Sequence, residues 1–253
     1  MIKRIFVLPY QLLIWLPVFA VISVLTALIT TLGCLCGGEK YFAYYPGMIW
    51  SRLVCILSLC PVKITGREKL NKKQSYIFAA NHQSIYDIFL IYGYLGQAIK
   101  WIMKKSLRKI PFIGKACETA GFIFVDNSSP KAAVKTVEEA EKRLVNGASV
   151  VIFPEGSRTP DGKMRNFKKG AYQMALDLKL PIVPITINGS FDVMPIHSYL
   201  LNPHKIELII HDPIHTSGYV SDDLRQLSSN IRELQTLSRD KIVSKLWDKY
   251  RPE

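Results

Sequence analysis

The chain has 253 residues, 49% of them hydrophobic, and carries 33 Lys and Arg against 20 Asp and Glu, for a formal net charge of +13. That length suits one α/β domain with an appendage, and the charge calls for a polyanionic partner: nucleic acid, an anionic membrane surface or a phosphorylated substrate. The odd set of Cys34, Cys36, Cys55, Cys60 and Cys117 contains no C-x-x-C pair, which excludes a disulfide framework and a zinc pattern and fits small buried thiols in a reduced compartment.

Taken in order, the chain opens on Lys3 and Arg4 and then shows no charge from Ile5 to Gly38. A bilayer-spanning helix needs about 20 apolar residues, so this run is long enough and is too long for a cleaved leader. Pro9 and Pro17 are expected to confine the best helix to the part after Pro17, or to kink it. A second apolar segment, Tyr41 to Pro61, is rich in Tyr and Trp and carries Arg52 near its middle. An Arg at bilayer depth costs roughly 2.5 to 3.5 kcal/mol. That favours an interfacial position, with Arg52 reaching headgroups and the aromatics at the water boundary. A full helical hairpin and one dipping into a single leaflet both return the chain to its starting side. Lys3, Arg4 and the basic remainder assign that side to the cytoplasmic face of the inner or cell membrane. Residues 5–61 therefore read as an anchor, and lipid rather than nucleic acid becomes the expected partner.

From residue 62 the composition is globular, and 62–253 reads as one domain. Val62–Gly66, Tyr76–Ala80, Ala98–Met103, Gly121–Val125, Val150–Phe153, Ile182–Ile187 and Ile206–Ile210 read as strands. Ser84 and Asp87 form a Ser-x-x-acid capping pattern at a helix start. Ser129 with Pro130 opens a helix whose apolar face runs through Ala133, Val134, Val137, Ala140 and Leu144 and stops at Asn146-Gly147. Further helices are predicted over about 168–179 and 221–250. Strands alternating with helices predict an α/β fold: a mostly parallel central sheet flanked by helices, with an N-terminal membrane-associated helical hairpin.

Two stretches carry chemistry. His82 lies between a buried strand and a helix, where open α/β sheets present ligands. Asp87 is placed to accept a proton from one imidazole nitrogen, leaving the other as a base. Just past a second buried strand, Pro154-Glu155-Gly156-Ser157-Arg158-Thr159 offers a guanidinium fork suited to phosphate and a glycine permitting close backbone approach. The five residues between Gly156 and Gly162, with Met164 after Lys163, rule out a nucleotide-binding P-loop. No G-x-S-x-G elbow supports a serine hydrolase. His197, His204, His211 and His215 match no metal spacing and read as solvated or capping side chains.

These residues bring out a resemblance to the glycerolipid acyltransferases, in particular the 1-acyl-sn-glycerol-3-phosphate acyltransferases, over roughly residues 62–215. The family's N-H-x-S-x-x-D is met by Asn81, His82, Ser84 and Asp87. Its F-P-E-G-[ST]-R-[ST] is met by Phe153 to Thr159, its intervening Lys and Pro by Lys104 and Pro111, and its Val-Pro-Ile by Val183-Pro184-Ile185. Its Gly-x-Ile-Phe-Ile-x-Arg is met from Gly121 to Val125 but ends on Asn127, leaving Lys104, Arg158 or a nearby Lys to take the place of the usual Arg. The resemblance implies transfer of an acyl chain from acyl-CoA or acyl carrier protein to the sn-2 hydroxyl of lysophosphatidate, giving phosphatidate. It implies His82 as base and Asp87 as its orienter, with no metal and no cofactor beyond the thioester co-substrate. The acceptor phosphate would be held by Lys104, Glu155 and Arg158, with Gly156, Ser157 and Thr159 in the same binding loop and Asn81, Ser84 and Pro184 in support. Two alternatives stay open: another lyso-lipid acceptor, and a non-catalytic membrane lipid-binding protein.

Overall fold

A computed structural model describes residues 2–125, 138–140, 142–144 and 147–252. Apolar residues without a polar face build its first element. Helix α1 (Ile2–Tyr10) continues through a wide π turn (Gln11–Trp15) into α2 (Leu16–Leu35). Of the two expectations for Pro9 and Pro17, confinement of the helix beyond Pro17 is corrected: one apolar helix runs from Phe6 to Leu35. The prolines remove two backbone donors, and the ladder between them widens to π spacing, one of the ways a helix absorbs such a break. At 1.5 Å per residue, 30 residues reach about 45 Å, more than a bilayer core of about 30 Å. Most of its side chains are exposed, among them Phe6, Leu13, Val21 and Leu32.

After the short α3 (Glu39–Phe42), helix α4 (Tyr45–Leu57) returns antiparallel to α2. Trp50 Nε1 donates to Ser23 Oγ at 3.0 Å, Trp15 Nε1 to Ser58 Oγ at 2.9 Å and the Tyr10 hydroxyl to Leu57 O at 2.7 Å. With 13 residues, or about 20 Å, α4 is too short to cross a bilayer core alone. Arg52, expected to reach headgroups, is half-buried and has partners within the protein. Its Nε donates to Gly93 O at 2.7 Å and its guanidinium lies 5.6 Å from the Tyr94 ring centroid. The helix end it meets has unpaired carbonyls that attract a cation, while Ser51, Val54 and Cys55 are buried.

Seven strands form one sheet: β1 (Val62–Thr65), β2 (Ile77–Ala80), β3 (Ile99–Lys104), β4 (Ile123–Val125), β5 (Ser149–Ile152), β6 (Ile182–Asn188) and β7 (Ile206–Ile210). Their order is β1-β7-β6-β2-β5-β3-β4, parallel except for the antiparallel pair β6–β7. The predicted architecture is thus found, and the predicted strands all occur. Alternation along β2 fills two cores. Phe78 and Ala80 pack toward α4 and α5 (Tyr86–Tyr94), while Ile77 and Ala79 pack toward α7 (Gly170–Asp177) and α9 (Leu224–Val243). Asp223 caps α9 by accepting from the amides of Arg225 and Gln226. Two further helices, α6 (Ile113–Thr119) and α8 (Ser190–Val193), are short, and neither is foreseen from the sequence. The helix predicted from Ser129 lies mostly outside the described residues, as does Asn127.

His211 departs from the solvated role expected of it. It is buried against β6, its Nε2 2.8 Å from Thr186 Oγ1, which itself donates to Ile242 O at 3.0 Å. Burial pushes its pKa down to about 4, so it sits in the core as a neutral donor.

Candidate active site

β2 and β5 are parallel neighbours, but their outgoing helices pack on opposite faces of the sheet, α5 on one and α7 on the other. A crevice opens at the carboxyl ends of strands related in this way. The register Ala79↔Ile152 brings His82 level with Glu155, and Trp101↔Val151 brings Lys104 level with Pro154. The sheet therefore gathers the residues of both sequence stretches, with Lys104, at one edge.

His82 Nδ1 lies 2.7 Å from Asp87 Oδ2. The same carboxylate oxygen accepts the amides of Gln83 at 2.6 Å and Ser84 at 2.9 Å. Asp87 is fully buried in the first turn of α5, where the helix dipole favours a negative charge. An acceptor-only Asp87 fixes the His82 proton on Nδ1 and leaves Nε2 with its lone pair. The imidazole stacks on Phe153, ring centroids 3.8 Å apart and planes 11° apart, and its side chain is 15% exposed. The ring is thus held in plane and in tautomer, yet open to solvent. The expected cap is formed from both sides: Asp87 accepts the Ser84 amide, and Ser84 Oγ accepts the Tyr86 amide at 3.3 Å while donating to Met194 O at 2.6 Å.

Glu155 is 3% exposed, and its two oxygens divide between two backbone amides: His82 N at 2.7 Å and Arg165 N at 2.8 Å. Burial raises its pKa to about 7 despite those two donors, with nearby Asp87 adding to the rise. Thr159 N donates to His82 O at 3.0 Å. The His82 peptide is therefore gripped at both its N–H and its C=O by the Glu155–Thr159 loop. Gly156 (φ +80°) closes the turn, donating to Phe153 O at 2.9 Å. A Cβ on Gly156 would stand 2.8 Å from Lys168 Nζ, which a flexible side chain can yield, so it is the positive φ that calls for glycine here.

Arg158 is half-buried and makes no hydrogen bond or ion pair among the described residues. Lys104 is exposed at the end of β3. Ser157 Oγ accepts from Arg165 Nη1 at 2.9 Å, and Thr159 Oγ1 donates to Asp161 Oδ1 at 2.7 Å. Pro184 lies in β6 opposite Ala79, with its carbonyl accepting from His211 N at 3.0 Å.

The deciding comparison is with families. The family model described as an acyltransferase matches residues 61–188. The chain belongs to the acyltransferase family. This acyltransferase is 34% identical over 181 residues to the chloroplastic 1-acyl-sn-glycerol-3-phosphate acyltransferase of Arabidopsis thaliana, covering 71% of this chain and 50% of that protein. It is 33% identical over 175 residues to the 1-acyl-sn-glycerol-3-phosphate acyltransferase of Saccharomyces cerevisiae, covering 68% and 57%. The chain thus spans about half the length of the Arabidopsis relative. The crystal structure of the 1-acyl-sn-glycerophosphate acyltransferase of Thermotoga maritima matches with a TM-score of 0.77 at 26% identity, covering 97% of this chain and 99% of that one.

Three residues at this site belong to no motif in the sequence. Gln83 is fully buried, its Nε2 donating to Gly162 O at 3.0 Å. Arg165 bonds to both Glu155 and Ser157, and Lys168 lies over Gly156. Asn81, named as a supporting residue, is a buried staple. Its Nδ2 donates to Ile187 O at 2.9 Å and its Oδ1 accepts Ile187 N at 2.8 Å. Asn81→Ala strands both groups at about 1 to 3 kcal/mol each. Thermal unfolding should show an apparent Tm about 4–12 °C below wild type, at roughly 2 °C per kcal/mol for a chain of this size.

Proposed function

We propose that this acyltransferase moves a fatty acyl chain from a thioester donor, acyl-CoA or acyl carrier protein, to the sn-2 hydroxyl of 1-acyl-sn-glycerol-3-phosphate, giving phosphatidate. The observation that carries the reading is the 2.7 Å contact between His82 Nδ1 and Asp87 Oδ2, locked beside the Glu155–Thr159 loop. His82 Nε2 takes the hydroxyl proton as the oxygen attacks the thioester carbonyl. The C–S bond then breaks, and the departing thiolate takes the proton back from the imidazolium. Asp87 orients His82 and stabilises its charged form. Direct attack needs no acyl-enzyme.

The oxyanion needs donors that are not already used. Gly156 N–H is spent on Phe153 O, whereas the amides of Ser157 and Arg158 make no hydrogen bond among the described residues. Arg158 and Lys104 are assigned to the acceptor phosphate. Glu155, with both oxygens on backbone amides, is assigned to holding the His82 peptide rather than to touching the acceptor. Residues 5–61 anchor the enzyme at the cytoplasmic face of the membrane, and 62–253 carry the reaction.

A matrix of donors and lyso-lipid acceptors, assayed in detergent, tests the reading. Turnover should be highest with 1-acyl-sn-glycerol-3-phosphate. Asn127, where the family has Arg, is the feature that favours a different lyso-lipid acceptor, and preferred turnover of another acceptor would establish that second reading. Lipid binding with no transfer from any donor would leave a non-catalytic protein.

A further inference from the structure

Beyond Lys104, the connection from β3 to α6 has no part in the chemistry above, and its make-up is unusual. It places Lys104, Lys105, Arg108 and Lys109 in succession, with no acid before Glu118. Among those cations it exposes Leu107 (40%), Ile110 (40%), Phe112 (54%) and Ile113 (42%). An apolar cluster of this kind, left in water and rimmed by charge, marks an interaction surface. The segment is not loose. Residues 105–109 form a 3-10 turn, and Gly114 packs so closely on Arg108 that a Cβ would stand 2.1 Å from its carbonyl oxygen. Arg108 pairs with Glu118 and lies over the Phe124 ring.

Phe112 is the most telling residue. It has φ +61° and ψ −53°, and Ile113 N donates to Pro111 O at 2.7 Å across it. This three-residue turn is strained for any side chain, and glycine would relieve it. The strain holds an aromatic ring in solvent.

The position of the segment names its partner. It leaves β3 at the same edge of the parallel sheet as His82 leaves β2 and Pro154 leaves β5. α6 packs on α2, and Ile113 lines an apolar cleft together with Ser23, Ala27, Trp50 and Tyr92. The exposed apolar cluster is therefore continuous with the apolar surface of α2. We infer that residues 105–113 form a second membrane-contacting surface, with Leu107, Ile110 and Phe112 among acyl chains and the flanking lysines on anionic headgroups. The inference rests on the reading of α2 as membrane-embedded, and it deepens that reading: the mouth of the site sits on the leaflet that holds its acceptor. Basic side chains interleaved with apolar ones suit an anionic leaflet, and continuity with a long apolar helix favours lipid over a protein partner.

One added Trp at a time, read as the difference from the parent chain with its own four tryptophans, tests this, using vesicles of phosphatidylcholine and phosphatidylglycerol with brominated acyl chains. The reporters are Val21→Trp in α2, Phe112→Trp, and Val220→Trp as a remote exposed control. The signal added at 112 is expected to shift to the blue and to be quenched about twofold or more, as befits an interfacial ring. Quenching should grow with the phosphatidylglycerol fraction and weaken with salt. The signal added by Val220→Trp should be unaffected. Quenching at 21 without quenching at 112 overturns the second surface and leaves the anchor standing. No quenching at either position removes both. A shift at 112 with purified acyl carrier protein but not with vesicles replaces the lipid by a protein partner.

Discussion

His82→Ala should lower kcat by about 10³-fold, within the 10² to 10⁴ that a positioned general base contributes. The fold should survive, because the imidazole packs at a partly exposed edge and the strand-end staples belong to other residues. Asn81 holds β6, Ser84 Oγ holds Met194 O, and Glu155 grips the His82 backbone rather than its ring. Removing the ring does leave the Asp87 carboxylate with its two amide donors alone, without the imidazole N–H. The loss should therefore fall on kcat with KM nearly unchanged, since the base acts on the hydroxyl as it attacks and contributes little to ground-state binding. Steady-state kinetics on detergent-solubilised protein, with circular dichroism to check the fold, reads both quantities. Near wild-type turnover with an intact fold would remove His82 from the mechanism.

Glu155→Gln should have the next largest effect, and for a different reason. The amide can accept only one of the two N–H groups that the carboxylate accepts, and it presents a donor to the other. Hydrogen bonds to a charged group are worth about 1.5–3 kcal/mol. If that loss appears in the placement of His82, kcat drops about 10- to 100-fold. The pH behaviour separates this from a generic loss of packing. Burial lifts the Glu155 pKa from 4.5 to about 7. A carboxyl raised in the folded state contributes stability that is fully present below its unfolded pKa and is lost as pH rises through its folded one. Between about pH 4.5 and pH 7 this contribution to wild-type stability should thus decline with rising pH. Over the same range the double acceptor forms and activity grows. In Glu155→Gln both slopes should flatten, leaving lower activity with a shallower acid limb. A variant with wild-type kcat, or with an unchanged acid limb, would show that Glu155 does not position the base.

Much of this was legible in the residues because buried parallel strands leave continuous apolar runs. The runs at 76–80, 150–153 and 182–187 became β2, β5 and β6 with ends shifted by a residue or so. The antiparallel turn of β7 against β6 left no such mark, since strand direction is set by the connection and not by side-chain pattern. The short α6 was hidden because seven residues after Pro111 give too few turns for a period. The two prolines did not confine the helix beyond Pro17, because the ladder between them is re-spaced to a π turn instead of ending.

The structure brings His82, Asp87 and the Glu155–Thr159 loop together, and that grouping was legible because their side-chain types stand out in the sequence. Gln83 and Arg165 were not. Arg165 serves Glu155 through its peptide N–H, which any residue but proline supplies, so its identity carries no signal for that contact. Glu155 stood out by its type, but its two oxygens meet backbone amides, those of His82 and Arg165, which side-chain identity does not announce.

The most direct test of the central claim is the stoichiometry of thiol release. Purified protein is mixed with radiolabelled acyl-CoA or acyl carrier protein, with and without 1-acyl-sn-glycerol-3-phosphate, and free thiol and lipid product are counted together. The expected result is negligible thiol release without acceptor and one phosphatidate, acylated at sn-2, for each thiol released with it. Donor hydrolysis that proceeds without acceptor, or thiol release with no phosphatidate formed, would contradict direct transfer to this lipid.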